Sequence, residues 1–455
     1  MKKIMFLYHV KERELAIISF ISQQITENVA NVEIRSGEFY SSILETIQFD
    51  PDVIVSIPPR DCYSSNYLTV LKMITGAVVI SMNTEGYYVF TPKEIKMVTG
   101  YNTYAKELVD YYLMWGPKTR RILGEALWNE GKLTDRRRIK TTGYVWYQKD
   151  LVIEGFERHT IYHSMQKWIH QHKKNILVLT GFLVADSSIK DYQILGYFGD
   201  DKPLNKRTPL EITQAQKSIE AEREFRRYID MIIFLAQNNP DIGFLVKLHP
   251  IEIEEKNKSY DELERYPNIF LLKDAIPVGA ALNLVDSMVH YNSTCNLEAY
   301  IYNIPTIQVY DDSKKTSFEF VWQMKGESTY LVHIKDVQKL NKLIREEAVF
   351  KKSRSMEKTL YNLYGWKSGK AYRAIEKSAY YISKAQKPQR LRLRDQEVLH
   401  AMNSDQGRKI INMLKQDILL NITDFRKVSK DIFALCKVYI FYYIINFLIK
   451  DKMPL

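Results

Sequence analysis

Two short stretches carry residue types suited to holding a phosphate. The first is Lys247-Leu248-His249-Pro250, where an apolar run over Gly243–Leu248 delivers a histidine and a proline to its end. Ligands of open α/β sheets bind at the carboxyl ends of strands. An imidazole placed there donates to a phosphate oxygen, and Lys247 adds positive charge nearby. A His-Pro pair also simply ends a strand, because proline cannot continue one. The second stretch is His290-Tyr291-Asn292-Ser293-Thr294-Cys295-Asn296-Leu297-Glu298-Ala299. A strand ending near His290 leads into Asn292, Ser293 and Thr294, and a helix carrying Glu298 follows. Free N–H groups and hydroxyls at a helix start form a phosphate site. Glu298, about one turn further in, is placed to accept from ribose hydroxyls. Ser293 and Thr294 with a glutamate downstream are equally a capping arrangement that needs no ligand.

Strands and helices must position these residues, and the apolar patterning supplies them. The first half reads as strand Lys3–Tyr8, a helix from Glu12 to about Glu27, strand Asn31–Arg35 and the β-branched run Val53–Ile57 behind Asp50-Pro51-Asp52. A helix over 64–75, strand Ala77–Ser81, strand Tyr111–Trp115, a helix from Pro117 and strand Ile139–Thr142 follow. A helical, basic stretch over 150–173 connects to the second half. That half holds strands Asn175–Thr180, Gly243–Leu248, Asn268–Leu272, Ser287–His290 and Thr306–Tyr310, with a long charged helix over 210–237. Continuous apolar strands alternating with helices indicate parallel sheets covered on both faces. The fold class is therefore α/β, with two Rossmann-like domains facing a cleft.

A length of 455 residues exceeds what one core usually organises, which agrees with two domains plus additional segments. Three cysteines, far apart, exclude a disulfide framework and a cysteine-rich zinc site, and fit a reducing cytosol. The N-terminal apolar stretch is too short for a secretory signal, and no apolar run reaches the length of a membrane span. A net charge of +11 points to an anionic partner. Runs such as Arg136-Arg137-Arg138 read as solvated faces, and without a zinc-finger, RNP-type or helix-turn-helix signature no nucleic-acid partner is expected. Asp50-Pro51-Asp52 formally matches a metal-diphosphate motif but precedes a strand instead of following one. Asp200-Asp201 and Asp311-Asp312 lack histidine partners at ligand spacing, so neither a metal nor another cofactor is expected. No Walker loop, Gly-x-Gly-x-x-Gly or Gly-x-Ser-x-Gly is present, which disfavours NTPase, dehydrogenase and hydrolase readings.

His-Pro after one strand, then Ser/Thr before a helix, resembles the nucleotide-binding half of GT-B glycosyltransferases that use CMP-activated sugars. Bacterial sialyltransferases, polysialyltransferases and capsule Kdo transferases are among them. The string NSTCNLEAYIYNIPTIQVY looks like a segment of surface carbohydrate and capsule biosynthesis proteins, with Pro305 introducing the next strand. CDP-glycerol glycerophosphotransferases and UDP-N-acetylglucosamine 2-epimerases share the architecture more distantly. The resemblance covers roughly residues 1–350. It implies that His249, Ser293 and Thr294 hold the donor nucleotide and its phosphate; Lys247, Asn292 and Glu298 join them as nucleotide-site candidates on their residue types and positions. The same families carry an acidic-acidic-Gly motif whose last acid is the general base. Asn83-Thr84-Glu85-Gly86 stands there, with Thr84 in place of the first acid, which assigns the base to Glu85. A glutamate in a surface turn is the bland alternative. Thr142-Gly143-Tyr144-Val145-Trp146 also departs from the usual Thr-Gly segment, which continues to Pro-Arg-Phe-Asp.

The resulting expectation is a metal-independent, inverting glycosyltransferase of bacterial surface polysaccharide synthesis. It would take a nucleotide-activated sugar, CMP-linked, and a saccharide or lipid-linked saccharide acceptor. A polyol-phosphate transferase or UDP-sugar 2-epimerase on the same fold is the alternative enzyme reading, and a non-catalytic GT-B scaffold is the third. The expected division is an acceptor domain over 1–165, a nucleotide-donor domain over 166–350, closing helices over 351–385 and a helical C-terminal tail over 386–455. That tail has 13 Lys+Arg against 7 Asp+Glu, a net +6, and ends in the apolar, Tyr-rich stretch Ile432–Ile449. Basic residues with aromatics behind them suit an anionic membrane surface, which places the protein on the inner face of the cytoplasmic membrane. A helix packed on the protein itself is the competing reading of the tail.

Overall fold

The apolar runs form strands at nearly the expected positions. The computed structural model describes residues 1–9, 11–59, 62–82, 108–129, 131, 133, 135–145, 160–181, 204–213, 215–216, 227–249, 252–253, 258–274, 276–291, 293–310, 329–346, 348–366, 373–387, 395–420, 430 and 432–437. The chain divides into two compact units. Unit 1 comprises Met1–Val145, Tyr361–Gly365 and Ala371–Leu455; unit 2 comprises Trp146–Leu360 and Trp366–Lys370.

Unit 1 runs β1 (Lys2–Tyr8), α1 (Lys11–Asn28), β2 (Val32–Glu38), α2 (Ile43–Phe49), β3 (Val53–Ser56), α3 (Cys62–Thr75), β4 (Val78–Met82), β5 (Tyr111–Met114), α4 (Pro117–Asn129) and β6 (Ile139–Thr141). The strands pair in parallel in the order β2-β1-β3-β4-β5-β6. Every residue of β3 and β4 is buried, as a parallel strand covered on both faces requires. Asp52 takes a structural place: its Oδ2 accepts the Lys3 N–H at 2.8 Å, tying the start of β3 to β1. The arginine run is structural in part as well. Arg138 is buried and its Nε donates to the Asp110 carbonyl at 2.8 Å, while Arg136 lies over the Trp128 ring. Tyr144, in the segment that departs from the surface-carbohydrate pattern, is a core residue. Its ring meets Trp115 and Tyr364 at centroid distances of 5.3 and 5.7 Å.

Unit 2 runs α5 (Thr160–Ile169), β7 (Lys174–Leu179), α6 (Arg227–Asn238), β8 (Ile242–Lys247), a 3-10 helix over Lys258–Arg265, β9 (Ile269–Leu272), α7 (Val278–Leu282), β10 (Ser287–His290), α8 (Cys295–Ile301), β11 (Thr306–Tyr310), β12 (Thr329–His333) and α9 (Val337–Arg345). Its strands are again parallel, in the order β12-β11-β10-β7-β8-β9. Two Rossmann-like units with a helical C-terminal segment are the α/β architecture expected.

Two differences concern the boundaries. The first unit ends at Val145 and not at 165, because α5 belongs to the second. Tyr162 and Met165 are buried, the Ile169 carbonyl accepts from Asn175 Nδ2 at 3.1 Å, and Tyr162 bonds to Asn283. Residues from 371 return to unit 1, where α11 (Ala374–Lys384) packs on α1, and α12 (Asp395–Asn403) and α13 (Asp405–Leu420) pack on α3. (The helix Arg354–Tyr364, between α9 and α11, is α10.) Val398, Ala401, Met402, Ile410 and Leu414 share one apolar cluster with Ile43, Leu68 and Leu71, and Ala434 and Leu435 join it. Burying such a side chain contributes about 1.5–3 kcal/mol. The described part of the tail is therefore core of unit 1, covering helices that would otherwise expose an apolar side.

Candidate functional site

β7, the first strand of unit 2, lies between β8 and β10, so the strand order reverses there. In open α/β sheets ligands bind at such a reversal, at the carboxyl ends of the strands. Thr180 and Gly181 leave β7 at this edge, Leu248 and His249 leave β8, and Tyr291, Ser293 and Thr294 follow β10. Both stretches singled out from the sequence thus emerge on one sheet edge, on either side of β7. Asn292 lies outside the described residues, and so does Glu85, together with the rest of the Asn83–Gly86 motif.

Lys247, Leu179, His290 and Gln308 stand in register across β8, β7, β10 and β11. Residues in register on parallel strands share a sheet face, so three polar side chains, with Leu179 among them, close one face at this edge. Lys247 is 6% exposed, and its Nζ donates to the Leu248 carbonyl at 3.4 Å. Burial pushes its pKa down, while Cys295, Glu298 and Glu252 pull it back up. Glu298, half-buried on α8, has its carboxyl pushed up to about 8 by burial, against the pull of Lys247. Burial and the Glu298 charge push the Cys295 thiol up to about 12, which makes it a poor nucleophile.

His290 is fully buried and burial pushes its pKa down to about 4, so the imidazole is neutral. Its Nδ1 lies 3.1 Å from the Tyr291 carbonyl and 3.3 Å from the Ser293 N–H, and the tautomer decides which bond forms. Ser293 Oγ accepts the Cys295 N–H at 3.2 Å, the capping role weighed above, whereas Thr294 makes no side-chain cap bond.

His249 is half-buried at the start of a helical turn, with Ile253 N donating to its carbonyl at 3.2 Å. Its own N–H lies 2.9 Å from Glu252 Oε2 and 3.1 Å from Thr180 Oγ1. Thr180 Oγ1 also bonds to Glu252 Oε2, and the Tyr260 hydroxyl donates to Oε1 at 2.9 Å. Tyr228 donates to the Leu179 carbonyl at 3.1 Å, and its phenol pKa is raised by burial and by Glu252. Chemically the edge offers an imidazole, an ammonium, hydroxyls and backbone N–H groups to an anion, and a carboxyl to hydroxyls. Among the described residues no group of three or more His, Cys, Asp or Glu is arranged to hold a metal ion.

The structure brings Lys247 and Glu298 together and places His249 and Ser293 on the same edge. It adds Thr180, Glu252 and Tyr260, which the sequence reading does not single out, and buries His290, which that reading names only as a strand end. His249 and Glu252 do have the three-residue spacing of a capping box. Histidine is an unusual cap, so that spacing carries little signal by itself.

No protein family profile and no curated protein sequence matches the chain. Solved structures similar to it include a UDP-GlcNAc 2-epimerase from Methanocaldococcus jannaschii at 13% identity and TM-score 0.48, covering 84% of this chain and 99% of that one. Another is a UDP-GlcNAc 2-epimerase from Neisseria meningitidis bound to UDP-GlcNAc, at 12% identity and TM-score 0.46, with 84% and 98% covered. The wall teichoic acid polymerase TagF is similar at 13% identity and TM-score 0.46, with 84% and 89% covered. The two-sheet architecture is carried by the strand pairing itself.

Proposed function

We propose that the chain is a metal-independent glycosyltransferase of bacterial surface polysaccharide synthesis, with a CMP-linked sugar as donor. The observation that carries this reading is the shared edge: Lys247 and His249 after β8 and Ser293 to Glu298 after β10 flank the point where the strand order reverses. His249 and the N–H groups near Ser293 meet the phosphate, Lys247 supplies charge from beneath, and Glu298 accepts from the ribose. Holding charge on the departing nucleotide is the larger task, because preorganised donors act where charge develops. Glu85 takes the proton of the acceptor hydroxyl as its oxygen bonds to the anomeric carbon. The bond to the nucleotide phosphate breaks with inversion.

A thermal-shift screen across CMP, CDP, UDP and UMP tests the reading. Ligand at about 100 times Kd adds about 2.7 kcal/mol, a shift of several degrees. Selective stabilisation by CMP is expected. A response to CDP alone favours a polyol-phosphate transferase, and to UDP alone an epimerase or hexose transferase. No response to any of the four at millimolar concentration leaves the non-catalytic scaffold. His249→Ala weakens binding, whereas Glu85→Ala abolishes turnover and leaves binding nearly intact.

The acceptor in this reading is lipid-linked, and the protein works on the inner face of the cytoplasmic membrane. Among the described residues no helix is long and apolar enough to cross a membrane. Val398, Met402, Ile410, Leu414, Ala434 and Leu435 are occupied within unit 1, and Lys437 Nζ donates to the Ile74 carbonyl at 2.6 Å. Lipid contact therefore falls to Tyr439, Phe441, Tyr442, Tyr443 and Phe447, with the exposed Ile432 and Phe433 beside them. Flotation with anionic vesicles at low salt, comparing the full chain with one ending after Lys437, tests it. Equal flotation of the two assigns the attraction elsewhere.

A further inference from the structure

Three donors from separate parts of unit 2 converge on one enclosed carboxylate. Glu252 is 1% exposed. Its Oε2 accepts the His249 N–H at 2.9 Å and the Thr180 hydroxyl, and its Oε1 accepts the Tyr260 hydroxyl at 2.9 Å. Thr180 follows β7, His249 follows β8, and Tyr260 stands in the 3-10 helix Lys258–Arg265. We propose that Glu252 is a positioning residue: it pins the backbone at His249 to the end of β7, so that the imidazole meets a nucleotide phosphate from a loop already in place. The inference rests on the nucleotide reading of this edge.

The chemistry suits a carboxylate. It is acceptor-only with two oxygens, and all three partners donate. Thr180 Oγ1, the other acceptor within reach of the His249 N–H at 3.1 Å, is itself oriented by its bond to Glu252. Removing the carboxylate therefore loosens both anchors of that N–H together. From the same position the Glu252 charge also favours the buried Lys247 ammonium. Geometry and charge separate in Glu252→Gln. The amide oxygen replaces Oε2 toward His249 and Thr180, and the amide N–H₂ replaces Oε1 toward Tyr260, whose hydroxyl turns to accept. The hydrogen bonds survive and the charge is lost.

The full-length chain, Glu252→Gln and Glu252→Ala are compared in two measurements: calorimetric Kd for CMP, CDP, UDP and UMP, and hydrogen exchange at the His249 amide. Glu252→Ala is expected to weaken the best nucleotide and to speed His249 exchange about tenfold each, with Glu252→Gln within about threefold of the parent on both. Wild-type affinity and exchange in Glu252→Ala overturn the inference. So does a Glu252→Gln that binds as weakly as Glu252→Ala with native exchange, since that outcome makes charge the whole effect. If Glu252→Ala does not fold, Tyr260→Phe removes one donor alone. It should shift both readouts in the same direction by a smaller factor, and no shift in either overturns the inference. If the parent binds none of the four nucleotides, the nucleotide reading fails. The exchange comparison between the Gln and Ala variants still decides whether Glu252 holds His249.

Discussion

Lys247 and Glu298 sense each other's charge in the interior of the second unit. Lys247 closes β8 and Glu298 stands on α8, and for both groups the attraction acts against burial. Burial lowers the pKa of the lysine and raises that of the glutamate, so each group would lose its charge more readily alone. The pair places an adjustable charge under the loops that the proposed nucleotide would touch.

Glu298 leads to a prediction about pH. Its carboxyl is pushed from the ordinary 4.5 up to about 8 in the folded chain, so the folded state holds a proton the unfolded state releases between those values. The stability from this group is complete below the unfolded value and is lost as pH rises through the folded one. Urea melts at pH 5, 6.5 and 8 should show wild type losing stability relative to Glu298→Gln. Parallel curves for the two proteins would remove Glu298 as the titrating group.

Lys247→Met separates binding from folding. Losing the ammonium relieves its own burial but leaves Glu298 without its cation, which that carboxyl meets by holding its proton. At pH 6.5 the thermal midpoint should change little, while affinity for the nucleotide falls by roughly tenfold through the lost charge. A lower midpoint with unchanged affinity would make Lys247 a structural residue.

A second buried pair, Lys72 and Asp110, holds unit 1 together. Lys72 Nζ donates to Asp110 Oδ2 at 2.7 Å and to the Leu108 carbonyl at 2.8 Å, and the same Oδ2 accepts the Val79 N–H at 2.9 Å. Lys72→Met leaves the carboxylate buried without its cation and should cost about 3–5 kcal/mol. Adding Asp110→Asn should recover part of that loss, and strict additivity in urea melts would argue against coupling.

Gly407 sets how closely α13 approaches the end of α12. A Cβ there would lie 2.4 Å from the Ala401 and Met402 carbonyl oxygens, which are backbone and cannot swing away. Gly407→Ala should therefore displace α13 and cost about 1–3 kcal/mol, seen as a lower midpoint and faster proteolysis after residue 395. A protein indistinguishable from wild type would show that the helix pair is not held at this point.

The strands are legible in the sequence because buried parallel strands are short, continuous and apolar. Val53–Ser56, Ser287–His290 and Thr306–Tyr310 all lie within a residue or two of their sequence-derived positions. Ile43–Phe49 and Thr329–His333 are not legible, since a seven-residue helix and a five-residue strand give too few repeats for a period to emerge. The tail reads two ways in sequence, as a membrane-facing segment or as a helix packed on the protein. Its basic charge and apolar end read as membrane-seeking, yet Val398, Met402, Ile410 and Leu414 are spent on the core of unit 1.

Local chemistry alone determined which residues end strands and start helices, and so marked His249, Ser293 and Glu298 before any contact was seen. Only the tertiary structure decided which polar groups meet. Thr180 and Glu252 are 72 residues apart, and Lys247 and Glu298 stand on different elements. They converge because β7, first in the chain of unit 2, lies inside its sheet with β8 on one side and β10 on the other. Strand order is settled by how whole layers pack, and no window of sequence contains it.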